Sequence, residues 1–147
     1  MISTQTKESA GFRSTSAQRD TSTVQFPLGL LGFEGLRKFT LVGKSDEAPF
    51  LWLERQNDSG LAFLVAPVNQ VVPDYKPDVS MEDVRFLKLS SPLEALVLGI
   101  VTFHKSGQAT INLKGPLVIN ARTRLGKQVV PLNAAGYNAQ HPLPVTN

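Results

Sequence analysis

Two histidines, His104 and His141, twelve carboxylates and a scatter of serines are what this chain offers a catalytic or metal-binding site; it has no cysteine. A zinc-type centre needs roughly three or four His, Cys or carboxylate ligands at short spacings. Neither histidine has such a neighbour: His104 stands beside Lys105 after an apolar run, and His141 precedes Pro142. Asp74 and Asp78 have the spacing that would put two carboxylates on one helix face for acid–base work, but Pro73 and Pro77 forbid that helix. They read as turn residues. No serine sits in a Gly-x-Ser-x-Gly elbow. Gly29, Gly32 and Gly35 do not make a phosphate loop, because no Lys-Ser/Thr pair follows them. No catalytic residue, metal site or cofactor is expected.

The remaining chemistry is charge. The formal net charge is +3, but it is spread unevenly. Residues 44–94 hold five Lys/Arg against nine Asp/Glu, whereas from Ala95 onward there are five Lys/Arg and no acid. Such a basic third can meet an acidic partner or a phosphate backbone; it can equally be a set of solvated strand edges, where lysine discourages aggregation. Single-strand nucleic-acid binders interleave aromatics with their cations so that bases stack. Between Ala109 and Asn147 the only aromatic is Tyr137, so direct nucleic-acid binding is not favoured.

The elements that must carry any surface are strands. The chain has 147 residues, enough for one domain with its own core. Residues 1–20 are rich in Ser, Thr, Gln and charge and read as an arm, leaving 21–147 as a single β domain. No apolar run approaches the roughly 20 residues of a membrane-spanning helix, no secretory leader is evident, and the lack of cysteine suits a reducing cytoplasm. Strand signals cover Val24–Phe26, Phe39–Val42, Phe50–Arg55, Leu61–Ala66, Leu93–Phe103, Ala109–Leu113, Leu117–Asn120 and Lys127–Val130. Asn57-Asp58-Ser59-Gly60 marks a hairpin turn and Lys105-Ser106-Gly107-Gln108 another. Only Ser80 to about Leu87 reads as helix, with Ser80 as cap and Glu82 and Asp83 in the first turn. The expected fold is all-β: a small antiparallel barrel-like or sandwich-like domain with one short helix. Phe50-Leu51-Trp52-Leu53 and Leu61-Ala62-Phe63-Leu64-Val65 are apolar on both faces, so a loop or a partner must cover their outer side.

The most informative segment is Phe26-Pro27-Leu28-Gly29-Leu30-Leu31-Gly32-Phe33-Glu34. Pro27 ends a strand, two glycines punctuate a turn, and Phe33 supplies an apolar anchor. This nonapeptide resembles the opening motif of the FliW flagellar assembly factor family. The resemblance continues in order through Pro49-Phe50-Leu51, Ala62-Phe63-Leu64-Val65 with Pro67, and Pro73-Asp74-Tyr75. It runs on through Thr110–Asn120, Arg124–Val130, Tyr137 and His141-Pro142-Leu143, covering roughly residues 22–143. It implies a non-enzymatic cytoplasmic binding protein whose partners are the translational regulator CsrA and flagellin. CsrA blocks flagellin translation at the messenger RNA; a FliW-like protein antagonises it, and accumulated flagellin competes for the antagonist. Partner contacts are expected in the Phe26–Glu34 turn and the Pro116–Gln128 region, on Phe33, Asn120, Arg124 and Gln128. The alternative reading is a nucleic-acid-binding β-barrel domain. An acidic surface that repels RNA cannot be assumed for this chain, whose sequence pI is about 9.4.

Overall fold

Successive side chains of a strand point to opposite faces, and here one set of faces turns inward around a common axis. The computed structural model describes residues 19–56 and 60–144. The N-terminal arm, apart from its last two residues, and the Asn57–Ser59 part of the expected hairpin turn lie outside the described residues. The described residues hold nine strands: β1 Arg19–Gln25, β2 Lys38–Lys44, β3 Leu51–Arg55, β4 Ala62–Pro67, β5 Ala95–Phe103, β6 Ala109–Ile111, β7 Leu117–Asn120, β8 Gly126–Gln128 and β9 His141–Pro142. Every ladder is antiparallel, and β1 to β5 pair in sequence order. β5 is long enough to serve three neighbours: β7 along Ala95–Leu98, β4 along Leu98–Ile100 and β6 along Val101–Phe103. β8 adds to β7, and a parallel bridge between Gln25 and Leu125 brings β8 back to β1. The path β1-β2-β3-β4-β5-β7-β8 therefore returns on itself as a barrel.

Register shows why. Val24 faces Phe39, Leu41 faces Leu53, Leu53 faces Phe63, Val65 faces Ile100 and Leu98 faces Leu117. These residues, with Phe26, Leu30 and Ile119, form the inner core. Its centre is aromatic: the Phe63 ring meets Phe33 edge-on at 5.3 Å and Phe39 at 6.2 Å.

The outer faces are covered by the chain itself. Leu64, Ala66, Val101 and Ile111 pack under Val68, Tyr75, Leu113 and Leu143, with Phe50 and Trp52 at the margin. That second core explains the doubly apolar β4 without a partner. Helix α1, Val68–Val71, is the element that the sequence pattern hides. Its valines favour strands locally, and packing over β4 and β5 overrides that preference. Helix α2, Met81–Phe86, lies where expected, and Ser80 Oγ accepts the Asp83 N–H at 3.1 Å. It belongs to the third core, where Leu87 meets Val118 and Val129 on the outside of β7. The expectation of one helix is thus corrected to two among the described residues. Pro92–Glu94 is a 3-10 turn rather than strand, β8 ends at Gln128, and β9 is a strand too short to read in advance.

Removing the central ring tests the inward register. Phe63→Ala should lose about 3–5 kcal/mol by urea unfolding, the usual range for a fully buried phenylalanine. A loss below about 1 kcal/mol would contradict the core described.

Candidate partner-binding surface

The turn after β1 is built by its own residues. Phe26 is fully buried, its N–H donates to Arg37 O at 2.7 Å, and its carbonyl accepts the Gly29 N–H at 2.8 Å. Gly29 has a φ of +71°, and a Cβ there would overlap the Glu34 backbone, so no other residue fits. Leu30 and Phe33 bond each other's backbones across the tip, at 2.7 and 3.3 Å, and Glu34 Oε2 accepts the Gly32 N–H at 3.1 Å. Phe33, half-buried, plugs one end of the barrel against Phe63. With Phe33 and Leu30 turned in, Leu28 and Leu31 are left outside, 55% and 56% exposed.

A second segment pins this turn. Gln128 Oε1 accepts the Leu31 N–H at 2.8 Å while its Nε2 donates to Gly115 O at 2.9 Å. Gln25 N–H donates to Arg124 O at 3.0 Å, closing β1 on the β7–β8 turn. Gly126 sits under the Phe26 ring, where an added Cβ would lie 2.8 Å from the ring carbons. The shelf formed by Leu28 and Leu31 is therefore held at both ends. Val130 and Leu132, 63% and 69% exposed, follow Gln128 in sequence.

Of the four expected contact residues, Phe33 and Gln128 come together on this shelf through Leu31, and Asn120 and Arg124 come together at the β7–β8 turn. Their accessibility differs. Arg124 is exposed, and Gln128 is half-buried with both ends of its amide engaged. Asn120 is fully buried, which takes it off the contact surface and makes it a fastener. Its Nδ2 donates to Leu87 O at 2.9 Å and Lys88 O at 3.2 Å, and its Oδ1 accepts Arg122 N–H at 2.9 Å and Thr123 N–H at 3.2 Å. A single amide thus ties the end of α2 to the β7–β8 turn. The exposed leucines are what residue-level reading missed. Their signal was an apolar residue on the side of each glycine away from the anchoring ring, which becomes legible only once Phe33 is seen to point inward.

Neighbouring charges are largely matched. Asp83 accepts a short hydrogen bond from Lys127 Nζ, which also lies 5.3 Å from the Phe86 ring centre. Glu94 accepts the Ser90 N–H at 2.8 Å and pairs with Arg122 at 3.3 Å. The Ser90 N–H first, then Arg122, hold the Glu94 carboxyl below its usual value. Tyr75 donates to Leu113 O at 2.7 Å, and burial, with Tyr137 beside it, pushes its hydroxyl above the ordinary range. His104 Nε2 lies 2.8 Å from Thr110 Oγ1, and His141 pairs through its backbone with Ile111 in the β6–β9 ladder. Among the described residues no three His, Cys, Asp or Glu come together as a metal-binding group, and no helix is long and apolar enough to cross a membrane.

Comparison with known proteins gives this arrangement a context. A family model described as FliW protein matches residues 7–143. The flagellar assembly factor FliW of Leptospira biflexa is 38% identical over 109 residues, spanning 73% of this chain and 71% of its own. That of Natranaerobius thermophilus is 34% identical over 122 residues, spanning 82% and 80%. A crystal structure of the flagellar assembly factor FliW aligns with a TM-score of 0.72 and 29% identity, over 82% of this chain and 84% of that one.

Two measurements test the fastening. Asn120→Ala leaves two carbonyls and two amides without their partner and should cost about 2–4 kcal/mol in chemical denaturation. Glu94 supplies the pH dependence: its lowered folded value means that its contribution is present above the usual 4.5 and fades as pH falls through the folded value. Glu94→Gln should therefore be less stable than the parent at neutral pH, and the two melting curves should converge in acid.

Proposed function

The chain belongs to the FliW family, and on that premise we propose that it is a non-enzymatic flagellar assembly factor acting in the cytoplasm. It binds the translational regulator CsrA and, alternatively, flagellin. By antagonising CsrA it couples flagellin translation to flagellar assembly. Residues 21–147 form the single domain that does this.

The observation that supports the reading most directly is the pinned shelf. Leu28 and Leu31 are exposed on a turn whose backbone is fixed by Gly29, by the Phe33 plug and by the Gln128 amide. An apolar surface that is already rigid loses little conformational freedom on binding, so more of its burial appears as affinity. Phe33 and Gln128 act as positioning residues beneath the shelf, and Arg124 is an exposed cation on the neighbouring β7–β8 turn. Antagonism of CsrA then follows from linkage: the protein lowers CsrA's affinity for RNA by as much as it prefers the RNA-free form. Flagellin reverses this by competing for the antagonist.

Calorimetric titration with the CsrA and flagellin of the same organism tests the proposal. Saturable micromolar or tighter binding to each, with one displacing the other, is the expected result. Leu31→Asp should weaken binding at least about tenfold, roughly 1.4 kcal/mol, without lowering Tm. Binding to neither partner would overturn the reading.

A further inference from the structure

Two cations stand where glycine is the easier choice. Lys88, φ 55°, and Arg124, φ 66°, are the non-glycine residues with left-handed backbone among those described. Lys88 directly follows the C-cap of α2, where Lys88 N–H donates to Arg85 O at 3.0 Å and Leu89 N–H to Val84 O at 3.1 Å. Glycine dominates at that position of this helix ending because a Cβ is penalised there. Arg124 closes the β7–β8 turn, its N–H donating to Asn120 O at 2.7 Å. Both side chains are exposed, and neither is ion-paired with a described residue. Asn120 holds the two positions side by side, since its side chain binds Lys88 O and its main-chain carbonyl binds Arg124 N–H. Left-handed backbone kept at two neighbouring, exposed and unpaired cations motivates a functional reading of both.

From Lys88 the chain runs directly into an apolar groove. Val79, Val84, Leu89, Pro92, Val97 and Val118 line it, and its volume is about 440 Å³. Leu93, between the lining residues Pro92 and Ala95, is 95% exposed. The acids nearby do not cancel the cations. Asp83 is taken by Lys127 and Glu94 by Arg122, Glu82 lies in the first turn of α2, and Asp78 stands between the lining residues Pro77 and Val79, not beside Leu89. Lys88 thus adjoins the lining residue Leu89, and Arg124 stands beside Lys88 through Asn120.

We propose that this groove is a second docking surface, which takes an acidic segment of a partner protein. Apolar side chains of that segment occupy the groove against Leu93, and its carboxylates meet Lys88 and Arg124. A polynucleotide would use the cations but leave the groove and Leu93 in water. This surface is separate from the Leu28–Leu31 shelf, and the inference stands whether or not CsrA and flagellin are the partners there.

Panning a library of random displayed peptides against the full-length chain tests it. The enriched peptides should carry Asp or Glu beside Leu, Ile or Phe. Lys88→Gly with Arg124→Gly should weaken their binding at least about tenfold, and Leu93→Ser should weaken it as well. Tm should hold or rise in the glycine double variant, because glycine suits both left-handed positions. No enrichment, enriched peptides without acids, or indifference to the double variant would overturn the proposal. A fall in Tm would overturn it too, by assigning both side chains to the fold. Oligouridylate that binds the parent more tightly than any enriched peptide, with a steep salt dependence and loss in the double variant, would make the surface a polynucleotide site instead.

Discussion

The seam between β1 and β8 is the constraint on which the rest of the molecule depends. Elsewhere the barrel is held by ladders of three to seven residue pairs, but here a single bridge, Gln25 to Leu125, joins the first strand to the last. One bridge cannot set a register. Side chains do so in its place: the Phe26 ring packs on Gly126, and the Gln128 amide spans Leu31 N–H and Gly115 O. Asn120, fully buried, fixes the turn from which Arg124 O reaches Gln25. Each is a short-range, directional contact. Loss of any of them leaves a buried polar group unpaired or a ring without its seat, and either outcome costs more than an ordinary surface change. The Phe26–Glu34 turn, shaped by its own backbone bonds, is held in place by this closure.

Much of this was legible in the residues, and the remainder was not for identifiable reasons. Alternation at Val24/Phe26 announces a strand with one inward face, and those residues do enter the inner core. Ser80 with acids after it announces a helix start, and the cap is made. Periodicity says which residues share a face, however, and never what lies opposite. The cover over β4 comes from Val68, Tyr75 and Leu143, so the doubly apolar strand by itself left both its own loops and a partner open as cover. Asn120 shows the same limit at a single residue. An asparagine ahead of a basic turn looks like surface chemistry until Leu87 and Lys88, more than thirty positions away, are found holding its amide.

Charge is read differently once pairing is known. The acid-free C-terminal third looks uniformly basic in sequence, yet Arg122 and Lys127 are matched by Glu94 and Asp83, and Lys114 Nζ donates to Ala134 O at 3.2 Å. The exposed pair adds little to stability. The Lys127 pair is more sequestered and also ties α2 to β8 across the third core. What remains of that third among the described residues is Lys105 and Arg124, and Arg124 lies beside Lys88 through Asn120. The acids Asp46 and Glu47 border a different depression, beside Phe50 and Trp52. Potential at the surface is thus local in both signs, and net charge alone does not describe it.

The β7–β8 turn has a consequence for how two partners would interact on one small scaffold. Its residue Arg124 gives a carbonyl to the seam beneath the Leu28–Leu31 shelf, and its neighbour Asn120 gives an amide to the loop that opens the apolar groove. A ligand on either surface therefore bears on Asn120, through its main-chain carbonyl, which accepts the Arg124 N–H, on one side and through its amide, which donates to Lys88 O, on the other. If binding leaves those bonds unchanged, the two surfaces act independently however tightly each is occupied. If a ligand draws Arg124 outward, it must lengthen the bond from Arg124 N–H to Asn120 O, and the second ligand feels that change by the same free energy in reverse. Such coupling needs no hinge or mobile domain. It needs only that one buried amide has no spare partner, so that what one loop gives up the other must register.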